Sequence, residues 1–136
     1  SEAKKLLSEV QETARQLAGH EHKDCQAMGA VLLKASAVLQ ESVDASLEAL
    51  QTQQSVGAFM GSVPLVMLSG YVLGGWMMGR AALVAYNKKD QAPFYERKLE
   101  SASFYCQQVL LPQLGLVHAV KAGQKAYDQA CAFTQV

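Results

Sequence analysis

The sequence predicts an all-α domain: an antiparallel up-and-down bundle of four main helices with an extra short C-terminal helix. Three observations predict this fold class. Apolar residues recur at helical spacing along almost the whole chain of 136 residues. Only three prolines interrupt it, and no segment carries the turn signal of a β-hairpin. Short polar connections separate the helical segments, which favours antiparallel packing of neighbouring helices.

The first two predicted helices are amphipathic, so each has one face that requires an apolar partner. In the first helix, which Ser1 can cap, the apolar positions are Ala3, Leu7, Val10, Ala14 and Leu17. A polar junction beginning at Gly19 follows, since glycine suits the position just after a helix. The apolar positions of the second helix are Cys25, Met28, Leu32, Ser36, Leu39, Val43, Leu47 and Leu50.

The third segment is the most apolar part of the chain. From Gly57 to Gly79 there are 23 residues without a charged side chain, and six of them are glycine. Such a stretch is either a membrane span or the central helix of a bundle. Pro64 and two serines dilute it, and no asymmetry of Lys and Arg marks a cytoplasmic flank. We therefore expect a buried central helix, covered all round by its neighbours and ending near Tyr86.

The rest of the chain predicts one further long helix and a helical tail. After a polar loop over 87–91, Pro93 suits the first turn of a fourth helix that continues to Pro112. The tail beyond it has a helical pattern that is broken near Gly123. Because the length is typical of one hydrophobic core, we expect residues 1–136 to form a single domain.

Composition limits the partners and the compartment. Lys plus Arg and Asp plus Glu both number 12, so no electrostatic signal predicts binding to nucleic acid or to an anionic membrane. Only 18% of residues are charged, against about 25% in typical soluble domains. That deficit indicates an additional buried surface, such as a subunit or domain interface. Three widely spaced cysteines indicate free thiols in a reducing cytoplasm.

A set of residues on the third and fourth helices is predicted to act in packing or at an interface. Glycines on two sides of the third helix would let neighbouring helices approach closely, and the guanidinium of Arg80 can cover the indole of Trp76 one turn before it. Lys98 falls within the apolar arc of the fourth helix. Its ammonium must therefore extend to water or meet a carboxylate, for which Asp44, Glu48 or another domain are candidates. The predicted residues are Gly70, Gly74, Gly75, Trp76, Gly79, Arg80, Lys98 and Tyr105.

No catalytic, cofactor-binding or metal-binding residue is predicted within the chain. His20, Glu21 and His22 with Cys25 could be offered as a metal site, but they lie at a helix junction and lack a fourth ligand. We therefore expect ordinary loop histidines. The glycines lie inside a helix, and no Lys-Ser or Lys-Thr follows them as a phosphate-binding loop requires.

Two segments and a dipeptide carry a family resemblance. They read GYVLGGWMMGRAA over 70–82, FYERKLESASFY over 94–105 and Leu-Pro at 111–112. In this order and spacing they resemble the C-terminal helical domain of acyl-CoA dehydrogenase-like flavoproteins, in the branch similar to the methylmercaptopropionyl-CoA dehydrogenases. The resemblance is clear over about residues 62–112, and the first two helices match it in pattern more than in identity.

The resemblance implies a noncatalytic C-terminal fragment of a larger FAD-dependent enzyme. Such a parent would oxidise a fatty-acyl or related acyl-CoA, and the helical domain would serve in domain packing and oligomerisation. Its partners would be the rest of the chain and the other subunits of a homo-oligomer. No glutamate here can be matched to the family's catalytic base. Two alternatives stay open: a small membrane-embedded bundle subunit, and a bundle that binds an acyl chain or acyl-CoA.

Overall fold

The computed structural model describes residues 2–52 and 54–134, and every regular element in these two ranges is helical, which confirms the all-α class. The predicted cap Ser1 lies outside the described residues. The elements are α1 (Glu2–Ala18), α2 (Lys23–Gln51), α3 (Ser55–Met60), α4 (Ser62–Lys88), α5 (Pro93–Phe104), a π-helical segment (Tyr105–Leu110), α6 (Leu111–Gln113), α7 (Leu116–Lys121) and α8 (Gly123–Thr134).

The helices are divided more finely than a simple four-helix bundle. The apolar third segment breaks at Gly61 into the short α3 and the long α4. The tail separates into α7 and α8 just before Gly123, where the break is predicted. Helices α1, α2 and α5 all contact α4, and α7 adds a further neighbour. That the four main helices run up and down in antiparallel order remains a prediction.

Helices α1 and α2 approach closely because Gly29 has no side chain. A Cβ at Gly29 would lie 2.7 Å from the carbonyl oxygen of Ala14 and would also collide with the backbone of Ala18. The junction between the two helices is ordered by His22, whose Nδ1 accepts a hydrogen bond of 3.1 Å from the backbone N–H of Asp24. This bond caps α2, because it satisfies an N–H that has no partner within the helix.

The predicted apolar positions of α1 and α2 are buried over most of each helix, but both predicted sets extend too far. In α1 the predicted positions are buried from Leu7 onward, but Ala3 is exposed. In α2 the predicted apolar positions are buried as far as Leu39, whereas Leu47 and Leu50 are 51% and 56% exposed. The far end of α2 therefore extends past the part of the bundle that covers it.

Helix α4 is buried on one face only, so the prediction that it is covered all round is wrong. Its buried residues are Leu68, Val72, Gly75, Gly79, Ala82 and Ala85. The opposite face is exposed to solvent, because α1, α2, α5 and α7 contribute too little surface to surround a helix of this length. By length and composition α4 could cross a membrane, and 22% of its most apolar stretch is buried.

The fourth predicted helix is continuous in direction but changes its hydrogen bonding before Pro112. Pro93 occupies the first turn of α5, as predicted. Further along, the backbone N–H of Leu111 donates to the carbonyl oxygen of Cys106, five residues earlier. Pro112 has no N–H and so cannot donate to the carbonyl oxygen four residues earlier, and the wider π-helical segment ends at Leu110, just before it.

Helix α8 packs against α3 through a contact between backbones. A Cβ at Gly123 would collide with the carbonyl oxygen of Gly57 and would lie 3.0 Å from the backbone nitrogen of Gly61. The backbone N–H of Gly57 donates to Oε1 of Gln124 over 3.1 Å. These contacts hold the first turn of α8, whereas the rest of that helix is largely exposed.

Candidate functional site

The exposed face of α4 forms a continuous apolar surface, which we call the apolar stripe. Its members recur at helical spacing over about 30 Å, at about 1.5 Å per residue. A surface of this kind on a compact domain is typical of an interaction site. The apolar stripe consists of Val63 (66% exposed), Val66 (70%), Met67 (45%), Gly70, Met77 (66%) and Val84 (54%).

A shallow cavity lies in the middle of the apolar stripe, where Gly70 lacks a side chain. It has a volume of about 360 Å³, and Val66, Met67, Tyr71 and Tyr105 surround it. A Cβ at Gly70 would meet no atom within 4 Å. The predicted close contact at Gly70 is therefore not made by any of the residues that the structure describes. The glycine instead leaves a recess that an apolar side chain from outside can fill.

The other three predicted glycines of α4 are packed inside the module. A Cβ at Gly74 would lie 2.5 Å from Oη of Tyr105, and one at Gly75 would lie 2.6 Å from a methyl group of Leu110. A Cβ at Gly79 would lie 2.9 Å from a methyl carbon of Leu17 and 2.9 Å from one of Leu32. At these three positions side chains of neighbouring helices, and not a second helix backbone, lie against α4.

Tyr105 connects the π-helical segment to α4. Its Oη donates a hydrogen bond of 2.9 Å to the carbonyl oxygen of Tyr71. Burial, with smaller contributions from Cys106 and Tyr71, raises the pKa of the Tyr105 phenol above its ordinary value. The hydroxyl therefore stays protonated and able to donate. This bond holds the ring across Gly74 and fixes α4 against the following helix.

Trp76 and Arg80 are stacked as the sequence predicts. Cζ of Arg80 lies 5.2 Å from the centroid of the indole ring. The indole N–H of Trp76 donates to Oγ1 of Thr13 over 3.0 Å, which ties α4 to α1. Sequence reasoning missed Thr13. A signal was present, because Thr13 lies three residues after Val10 and four before Leu17, on the apolar side of α1.

Lys98 lines a groove between α1, α4 and α5, which we call the cationic groove. Its volume is about 760 Å³, and Thr13, Arg80, Phe94 and Tyr95 are among the residues that border it. Within 2–52 and 54–134, neither Lys98 nor Arg80 is paired with a carboxylate. The predicted partners Asp44 and Glu48 are therefore not used. The half-buried Lys98 extends into the groove instead.

The histidines at the junction of α1 and α2 have structural roles. His20 lies edge-on to Tyr86, with ring centroids 4.3 Å apart, and its Nδ1 accepts from the backbone N–H of His22 over 3.0 Å. Oη of Tyr86 donates to Oε1 of Glu21 over 2.8 Å. Among the described residues, no cluster of His, Cys, Asp and Glu is arranged to hold a metal ion.

The geometry defines a helical domain whose most accessible feature is one uncovered helix face. The sequence profile of the family described as "Acetyl-CoA dehydrogenase C-terminal like" matches residues 6–129, and the chain belongs to that family. The family resemblance predicted from the two α4 and α5 segments is thereby confirmed. Membership in this family does not favour the membrane-subunit alternative or the ligand-binding alternative.

One similar protein is a 3-methylmercaptopropionyl-CoA dehydrogenase from Ruegeria pomeroyi. It is 40% identical over 57 residues, which cover 40% of this chain and 10% of the relative. The chain therefore matches a small part of that relative's length. No solved structure matches the chain.

Proposed function

We propose that residues 1–136 are the noncatalytic C-terminal helical domain of a larger acyl-CoA dehydrogenase homologue, in which they join domains and subunits. The apolar stripe is the observation that carries this proposal. Five large apolar side chains on one helix face remain 45% to 70% exposed in this chain. Covering each of them would contribute on the order of 1 kcal/mol, since a full burial contributes about 1.5–3 kcal/mol.

The inner face of α4 makes the apolar stripe a rigid surface. Gly74, Gly75 and Gly79 lie against side chains of the neighbouring helices, and Trp76 is hydrogen-bonded to Thr13. These contacts limit rotation of α4 about its axis. A partner that covers the stripe would therefore lose little conformational entropy in ordering it, which favours a stable interface.

The parent enzyme would be an FAD-dependent dehydrogenase that oxidises a fatty-acyl or related acyl-CoA, and it would form a homo-oligomer in the cytoplasm. The family and the named relative support this proposal. The three free thiols are compatible with a reducing compartment. The chain's own residues do not fit FAD: the cationic groove is a surface groove bordered by the sides of helices, and no phosphate-binding glycine loop leads into it. FAD would be bound elsewhere in the parent.

A charge introduced on the apolar stripe tests the proposal in the full-length protein. The double variant Val66→Glu, Met77→Glu should give a smaller assembly in light scattering, because two carboxylates would be desolvated at the interface. Flavin content, read from absorbance, should change little. Leu47→Glu is the matched control, since Leu47 is an exposed apolar residue of α2 outside the stripe. An assembly of unchanged size with the double variant would contradict the proposal.

A further inference from the structure

We propose that the cationic groove receives an acidic segment of the catalytic part of the same polypeptide, and that a carboxylate of this segment pairs with Lys98 and Arg80. The inference rests on the proposed function, because it requires the chain to be joined to such a catalytic part. It goes further by naming the groove as a second contact beside the apolar stripe and by specifying the chemistry of the group that fills it.

The charges of the groove lack a counterpart within the part of the chain that the structure describes. Lys98 and Arg80 both border it, and no Asp or Glu is among the residues that line it. Arg80 covers Trp76 with one face of its guanidinium, which leaves its N–H groups available. A half-buried ammonium next to apolar groups is stabilised by an opposite charge at short range. The groove is thus complementary to a carboxylate that the described residues do not supply.

The residues that line the groove are largely apolar, so a carboxylate that binds there should belong to a segment that also carries apolar side chains. Met77 and Val84 belong both to the groove and to the apolar stripe, so the two surfaces are continuous. Phe94 is 58% exposed and meets Tyr95 edge-to-face, with ring centroids 5.4 Å apart. A protein segment that presents an acidic residue among apolar ones would cover these groups, whereas a small anion would leave most of them exposed.

The catalytic part of the same polypeptide fits this description better than a second copy of the groove. A twofold contact centred on the groove would bring Arg80 and Lys98 of both copies together, and like charges across an interface are unfavourable. The segment matched in the 3-methylmercaptopropionyl-CoA dehydrogenase is only 10% of its length. A parent of that kind has a long additional chain that can supply the acidic segment.

Zero-length cross-linking in the full-length protein identifies the occupant. A carbodiimide joins a lysine to a carboxylate only when the two are in contact. We expect Lys98 to be linked to an Asp or Glu that precedes residue 1. Assembly from mixed ¹⁴N-labelled and ¹⁵N-labelled subunits should give links in which both peptides carry the same label. Mixed-label links from Lys98 would overturn the inference by placing another subunit in the groove, and the absence of any link from Lys98 would also overturn it.

Charge reversal measures the pairing. Lys98→Glu should lower the yield of intact docked protein after limited proteolysis by about tenfold, which corresponds to about 1.4 kcal/mol. Lys98→Arg should retain docking, and Lys34→Glu on the exposed side of α2 is the control. Exchanging the cross-linked acid for lysine should rescue Lys98→Glu, a result that a merely unfolded variant would not give. If docking is insensitive to Lys98→Glu while the stripe variants still reduce assembly, the inference fails and the proposed function stands.

Discussion

Two glycines of α4, only one turn apart, should respond in opposite ways to the same substitution. Gly74 faces Tyr105, and an added Cβ would lie 2.5 Å from Oη and 3.1 Å from Cζ of that ring. Gly70 faces open space, with no atom within 4 Å of the added carbon. We therefore predict that Gly74→Ala destabilises the chain and that Gly70→Ala stabilises it.

The magnitudes follow from the contacts. Replacing glycine by alanine inside a helix contributes about 1 kcal/mol of stability when nothing else changes, which is the expected effect at Gly70. At Gly74 the ring of Tyr105 must shift to relieve the overlap, at a cost of about 1–3 kcal/mol. The shift also weakens the hydrogen bond of Tyr105 to the carbonyl of Tyr71, which contributes about 1 kcal/mol. The net loss at Gly74 is about 1–3 kcal/mol.

Urea denaturation of the 136-residue chain, followed by circular dichroism, measures both free energies of unfolding. Adding Tyr105→Phe to Gly74→Ala tests the cause, because it removes the nearest atom of the clash. The free energy of unfolding of the double variant should be at least about 1 kcal/mol higher than the sum of the two single-variant effects would give. If Gly74→Ala is as stable as Gly70→Ala, the close contact seen at Gly74 does not exist in solution.

Three further predictions concern other contacts of the module. Gly29→Ala should lower the free energy of unfolding by about 3 kcal/mol or more, since the added methyl meets the backbone of α1 rather than a movable side chain; a urea midpoint equal to that of the parent chain would contradict this. Thr13→Val should cost about 1 kcal/mol and alter the near-ultraviolet dichroism of Trp76, because the indole N–H loses its acceptor. Burial raises the pKa of the Cys106 thiol from its ordinary value of 9.0 to about 11, so the unfolded chain loses this proton first as the pH rises. Stability should therefore fall by about 2 kcal/mol more between pH 9 and 11 in the parent chain than in Cys106→Ala, and equal pH profiles would refute the burial effect.

Helical periodicity and residue size were sufficient to predict much of the packing. The all-α class follows from apolar spacing that holds nearly throughout, and the start of α5 follows from the fixed backbone angle of Pro93. The inward packing of Gly74, Gly75 and Gly79 follows from the need of a long helix to approach its neighbours. The stacking of Arg80 on Trp76 is a local effect of residues one turn apart, and such pairs depend little on the tertiary fold.

Other features depend on long-range geometry that a single sequence does not encode in an obvious way. Gly29 and Thr13 act through contacts with distant residues, and their positions on the apolar sides of α2 and α1 do not by themselves specify those partners. The π-helical segment depends on how the chain accommodates Pro112 while Cys106 and Leu110 stay buried. Periodicity also fails on α4, since a helix that is apolar all round has no amphipathic pattern from which a buried face could be deduced.

The uncovered face of α4 and the low charge content have a common physical explanation. Only 18% of the residues are charged, and the apolar stripe occupies a long surface where a monomeric domain would place charges. A lipid-facing helix would share that composition, but Arg80 and Lys98 lie beside the stripe at the level of Met77 and Val84, where hydrocarbon would offer them no counter-charge. The proposed protein partner would account for both features, since it would supply apolar cover along the stripe and an acid at the groove. The combination of the apolar stripe and the cationic groove therefore favours a protein partner, because the stripe alone would also be compatible with lipid and the groove alone with a small anion.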